Sequence, residues 1–469
     1  MRLKSALHQW LVRRIAIDRR ALVAFRVALG LCLLIDIALR YPDIVAFYTD
    51  SGALPRSTLT ELYPVLGDVS PLAVSGAAWL PLVALGLTAL AGLALVVGYR
   101  PRLSAGIAFV LLVAIQLRNP VVLNAGDTLF RRLLFWSLLL PLGWGWEDEL
   151  PESATQVATA GTAGILLQVL AVYVTNGVMK LRGTYWHRGT AVRYVLQLDH
   201  LTVRAGDVVA GWDLALVLGN WLWLALLIGS PLLLIWTGRY RTGLVAAFVI
   251  AHACMALSFQ LGVFPLVSVL GLVLFFPPSF WDTLVDRWPA AIEALRPQWP
   301  ESATGSPQVW CPSATYSIAV LGIVAIVVLN AIAVGFVAAP TGTPDRIEDR
   351  SWNMFVPDPP LETWWYAAPA TLESGNRVDA LTGEPVNLSR PPEVSDRVPN
   401  QRWKKLFETA RHEPSLRRSL ATYLCSRWNQ SHSDDIERMD LLLLTEPTNL
   451  NGPESVDREH LGSYQCASG

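Results

Sequence analysis

Nine apolar runs leave this chain little choice of solvent. They lie near residues 21–40, 72–98, 103–121, 128–145, 160–181, 212–236, 242–257, 260–276 and 316–338. A helix of about 20 apolar residues crosses the hydrocarbon core of a bilayer. Backbone N–H and C=O groups in lipid must be satisfied within the segment, so such runs imply helices. The two pieces within 242–276 are the shortest.

The charges agree with this reading. The first 339 residues hold 41 Asp, Glu, Lys and Arg, and the last 130 hold 34. Soluble domains carry about a quarter. The expected architecture is an α-helical polytopic membrane protein with about nine transmembrane helices over residues 10–340. A soluble α+β domain over 341–469 follows. The lipid bilayer is the expected partner; neither part is basic enough to suggest nucleic acid.

Six of the first twenty residues are Lys or Arg, which places the N-terminus on the cytoplasmic side of a cell membrane. The run that follows is too long for a cleaved signal segment and is expected to remain as an anchor. Nine crossings then put 341–469 outside. That tail carries Trp352, Phe355, Trp364, Trp365, Tyr366, Trp403 and Trp428, too many aromatics for a solvated linker. Ser374-Gly375-Asn376 reads as a hairpin turn, and 402–428 has helical spacing. Cys425 and Cys466 could pair if the tail faces an oxidising side. No CxxC and no second ligand near His252 supports a metal.

Ionisable groups inside apolar runs need a reason to be there. Asp36 and Arg40 are four apart and can pair on one helix face, as can Asp127 and Arg131. Asp127 follows Asn124 where a helix should begin, so it suits either a cap or a polar cavity. Lys180 ends an apolar run in a chain with 33 Arg and four Lys. It could snorkel to the interface. Arginine would serve equally there, whereas only lysine can give up its proton and act as a base. His252, mid-run, reads as a hydrogen-bonded packing residue or a member of a site.

Four segments together resemble a known family. IAIDRRALVAFRVALGLCLLIDIALRYPDIVAFY, NAGDTLFRRLLFW, NGVMKLRGTYWHRGTA and AHACMALSFQLGVFP look like the HTTM membrane domain, shared with vitamin K-dependent γ-glutamyl carboxylases. The resemblance covers about residues 10–340. It implies that Lys180 is the base that deprotonates reduced vitamin K or menaquinol, with Asn124 and Asp127 at the catalytic site. His252, Trp186 and Phe264 are then the cofactor-binding residues. Reaction with oxygen yields a strong base that removes a γ-proton from a glutamate of a secreted or membrane peptide, and carbon dioxide adds. Animal carboxylases carry Asn-Asn-His where this chain has Asn124-Ala-Gly-Asp127, and an anionic Asp127 could hold Lys180 protonated. The alternative is a non-catalytic HTTM protein that binds a lipid, quinone or partner.

Overall fold

The computed structural model describes residues 2–142, 155–287, 308–309, 313–337, 352, 354–450, 452 and 454–466. Its main helices are α1 (Arg2–Ile15), α2 (Arg19–Arg40), α3 (Trp79–Val97), α4 (Pro101–Arg118), α5 (Ala125–Ser137) and α6 (Ala160–Lys180). They continue with α7 (Asp213–Gly229), α8 (Gly238–Ser258), α9 (Phe264–Val273), α10 (Pro278–Arg287) and α11 (Ser313–Ala333). The local chemistry sets the ends. Asp18 caps α2 by accepting the Arg20 N–H at 2.8 Å. Gly98, at φ 75°, closes α3 and Pro101 opens α4. Three short strands, β1 (Ile17–Asp18), β2 (Gln156–Ala158) and β3 (Gln308–Val309), form a small sheet at the start of α2.

Six helices among the described residues are long and apolar enough to cross a membrane. The count is seven if α9 and α10, bent by 100°, form one broken span. Among the described residues, the run at 128–145 gives the 13 residues of α5, and the run at 212–236 the 17 of α7. The run at 260–276 gives the 10 of α9. Proline sits just beyond each: Pro141, Pro231 and Pro277. It lacks the N–H and clashes with the preceding turn, which breaks a helix that composition alone would continue. Phe25, Leu29, Leu33, Leu112, Phe130 and Leu166 pack into one core. Leu87, Leu90, Ile107, Val110 and Leu321 point outward and are exposed. Helices apolar on both faces suit lipid rather than water.

The C-terminal part is a five-stranded antiparallel sheet with two helices. Its strands are β4 (Glu362–Ala367), β5 (Pro369–Leu372), β6 (Arg377–Asp379), β7 (Ile436–Pro447) and β8 (Asp457–Gln465). The order is β4-β7-β5-β6, with β8 on the other edge of β7. Trp364 lies opposite Thr445 and Trp365 opposite Leu444. The expected turn is present, with Gly375 at φ 86° between β5 and β6. The expected helix over 402–428 is two helices, α12 (Gln401–Ala410) and α13 (Pro414–Ser431), because Pro414 starts a new one. Cys425 and Cys466 form a disulfide that ties α13 to the end of β8.

The sheet's core runs on into the helical part. Phe47, Leu54 and Leu59 join Trp403, Phe407, Leu420 and Leu441 in one apolar cluster, with the Phe47 and Trp403 rings 5.0 Å apart. His200 lies at this junction, stacked on Trp364 at 4.7 Å. Burial pushes its pKa down to about 3, and the Lys404 charge adds to the effect. The unfolded chain therefore takes up this proton first. The histidine's contribution is intact above its ordinary value of 6.5 and is lost as pH falls toward 3. The melting temperature is expected to fall between pH 7 and 5, and His200→Phe to flatten that decline. Equal slopes in the two proteins would contradict it.

Candidate functional site

Lys180 is the last residue of α6, whose start is fixed by the reciprocal Thr159–Thr162 capping box. Tyr173, Asn176 and Lys180 fall on one face of the helix at spacings of three and four. The Lys180 side chain does not snorkel to an interface: the residue is 1% exposed. Its ammonium donates to the carbonyls of Met354 at 2.7 Å and Phe355 at 3.0 Å. It also lies 3.7 Å from the centre of the Trp186 ring, a cation–π contact. Trp186 Nε1 donates to the same Phe355 carbonyl at 3.0 Å. Asn176 donates to the Trp352 carbonyl at 2.9 Å. Phe355 holds φ 57°, a region that L side chains rarely enter, which turns its carbonyl toward both donors. Asp358 accepts from the Thr184 and Tyr185 amides at 3.0 and 2.8 Å. The segment through Met354 and Phe355 to Asp358 is thus a strap laid across the end of α6.

From Trp186 a chain of contacts leads into the helices. The Trp186 carbonyl accepts from Asn220 Nδ2 at 3.0 Å. Trp223, one turn along α7, has its ring 5.8 Å from His252 on α8. His252 Nε2 and the Tyr173 hydroxyl are hydrogen-bonded at 3.0 Å, and Tyr173 returns the path to α6. Phe264 meets His252 edge-on at 5.7 Å. Two polar atoms of this circuit, Asn220 Oδ1 and His252 Nδ1, are buried and have no hydrogen-bond partner. Native structures rarely leave such groups unmet. The circuit therefore carries two unpaired polar atoms, one on α7 and one on α8.

Asn124 and Asp127 belong to a different arrangement. Asn124 caps α5 and Asp127 returns the bond to the Asn124 amide, a full capping box. Asp127 does not pair with Arg131. It takes Arg40 Nη2 at 2.5 Å, while Arg131 bonds Gln116. The expected Asp36–Arg40 pair is present at 2.7 Å, and Arg402 from α12 reaches Asp36 at 2.6 Å. The result is a neutral buried chain, Arg402–Asp36–Arg40–Asp127. Asp127 has no contact with Lys180, so it does not hold that lysine's proton.

Phe264 joins the two clusters. A Cβ on Gly126 would lie 2.7 Å from Phe264 Cα and 2.8 Å from its N, backbone that cannot swing aside. Gly126→Ala is expected to displace the start of α9 and to destabilise by about 1–3 kcal/mol. Unchanged chemical denaturation would refute this. Asn220, Tyr173 and Trp223 were not singled out from sequence. Asn220 carried a usable signal, a lone carboxamide within DLALVLGNWLWLALLIG, whereas Tyr173 and Trp223 look like ordinary core residues.

Among the described residues, no group of three or more His, Cys, Asp or Glu could hold a metal ion. No curated protein and no solved structure matches the chain. The HTTM domain model matches residues 15–281, more than half of the chain and the part that contains α2 to α9, Lys180, the His252 circuit and the Asp127 cap. The chain therefore belongs to the HTTM domain family.

Proposed function

We propose that this protein is an integral membrane enzyme of the carboxylase-like kind, with Lys180 as the base toward a reduced naphthoquinone. The observation that carries this reading is the setting of Lys180. It is buried, and no carboxylate touches it among the described residues. Asp358, the one acid among the described residues whose charge bears on it, spends its oxygens on two backbone amides. The proton on Nζ is therefore held by neutral groups, and a lysine can release one where an arginine cannot.

The unmet Asn220 Oδ1 and His252 Nδ1 are the groups that would hydrogen-bond the hydroxyls of the reduced quinone. Trp186, Trp223 and Phe264 supply apolar walls. Reduced vitamin K or menaquinol would supply the oxygen-dependent chemistry that makes a base strong enough for a glutamate γ-proton. Lys180 would accept a proton at Nζ, and Asn220 and His252 would orient the ring and keep water out. Asn124 and Asp127 shape the site at one remove, by fixing the start of α5 against Phe264.

The helices would lie in a bilayer, with α5, α7 and the bent α9–α10 pair as shorter segments among the spans. The disulfide supports an oxidising, external side for the tail. The experiment is incubation of purified protein with reduced menaquinone, oxygen, labelled bicarbonate and a glutamate peptide. Quinone epoxide and labelled peptide are expected; absence of both would overturn the reading.

A second reading rests on the strap. The two carbonyls and the Trp186 ring give Lys180 a complete set of structural contacts. A non-catalytic HTTM protein could use it solely to clamp the tail to the helices. Quinone binding without oxygen consumption would favour that reading.

A further inference from the structure

At the end of the bundle that carries the N-terminus, we propose that Arg14 and Arg241 form a binding site for a phosphate group, supplied by a lipid headgroup or by free phosphate. Arg241 lies in the first turn of α8, which contains no acid. It is 5% exposed, and its Nε and Nη2 are buried without a hydrogen-bond partner. Those two atoms are the forked edge of a guanidinium that grips two oxygens of one phosphate. The face of the group rests on the Phe275 ring at 5.4 Å, so the fork is the part left unused.

The charge that acts on Arg241 is a like one, from Arg14 of α1. Arg14 is half-buried, has its own Nε unpartnered, and lies 5.3 Å from the Trp10 ring. Two other buried arginines of the protein have acids: Arg20 has Asp18 and Asp282, and Arg40 has Asp36 and Asp127. Two neighbouring cations with no counter-ion among the described residues are unfavourable in a low-dielectric site. One phosphate between them removes that penalty.

The surroundings suit an anion at the membrane surface. Thr237, which precedes α8, makes no side-chain cap bond, so the first amides of the helix remain available, and helix N-termini favour phosphate. Arg239 turns away to the Tyr240 hydroxyl at 3.1 Å. The α1 helix, RLKSALHQWLVRRI, has four bases and no acid, with Trp10 and Leu11 exposed. Such a helix lies in the plane of the headgroups.

Native mass spectrometry of the delipidated full-length protein, titrated with phosphatidylglycerol or phosphatidylcholine, tests the site. The Arg14→Gln/Arg241→Gln variant is expected to retain phosphatidylglycerol about 10-fold less well, since each base near a charged surface contributes modestly. Arg239→Gln should bind like the wild type. Inorganic phosphate is the second arm. If millimolar phosphate displaces the lipid from the wild type but not from the variant, the site takes the free anion as well. If it does not displace it, the lipid headgroup is the occupant. Should the double variant fail to fold, Arg14→Gln alone, at the rim, is expected to lose about 3-fold. Equal lipid retention by wild type and variants, with no effect of phosphate on either, would overturn the proposal.

Discussion

Asp36→Asn is expected to lower stability by about 3–5 kcal/mol, the loss that follows when one partner of a buried ion pair is removed. Asp36 is fully buried and uses both oxygens: Oδ2 for Arg40 and Oδ1 for Arg402. Asparagine leaves two guanidiniums in the interior with only Asp127 to balance them. Because Arg402 belongs to α12, the loss should also loosen the C-terminal part from the helices, visible as faster proteolysis of the tail. Arg402→Met is the informative contrast. It removes one cation and leaves the Asp36–Arg40 and Asp127–Arg40 contacts, so a smaller loss of about 1–2 kcal/mol is expected. Chemical denaturation in detergent reads both. A loss below 1 kcal/mol for Asp36→Asn would mean the chain of charges does not join the two parts.

The sequence made the local half of this architecture legible. Apolar length located the six long apolar helices of the described residues, because a backbone in lipid must bond within its own segment. The four-residue spacing of Asp36 and Arg40 gave their pair, and Asn124 with Asp127 gave a helix start. Length did not show where proline would end α5, α7 and α9 early, since composition reads through Pro141, Pro231 and Pro277. Contacts between distant segments were also hidden. Asp127 finds Arg40 rather than its neighbour Arg131, and Lys180 finds carbonyls 174 and 175 residues away. Backbone carbonyls carry no sequence signal, so the strap was invisible. The site residues named from the resemblance fall into two groups: Lys180 and Trp186 under the strap, with His252 and Phe264 linked to them through Tyr173 and Trp223, and Asn124 with Asp127 in the cap.

Lys180→Arg separates the two roles open to this lysine. Arginine keeps a positive charge and has donors enough for the Met354 and Phe355 carbonyls, and its plane can stack on Trp186. The strap should therefore stay in place, with tail proteolysis close to that of the wild type. Lys180→Ala should instead leave the Met354 carbonyl with only the longer Asn176 bond at 3.3 Å and the Phe355 carbonyl with only Trp186, and loosen the strap. Proton removal is what arginine cannot perform, and a positioned base contributes about 10²–10⁴-fold to rate. The most direct measurement is the rate of menaquinol-dependent oxygen consumption by Lys180→Arg at unchanged melting temperature. A fall of about 100-fold or more is predicted; a rate equal to the wild type would show that Lys180 is a clamp and not a base.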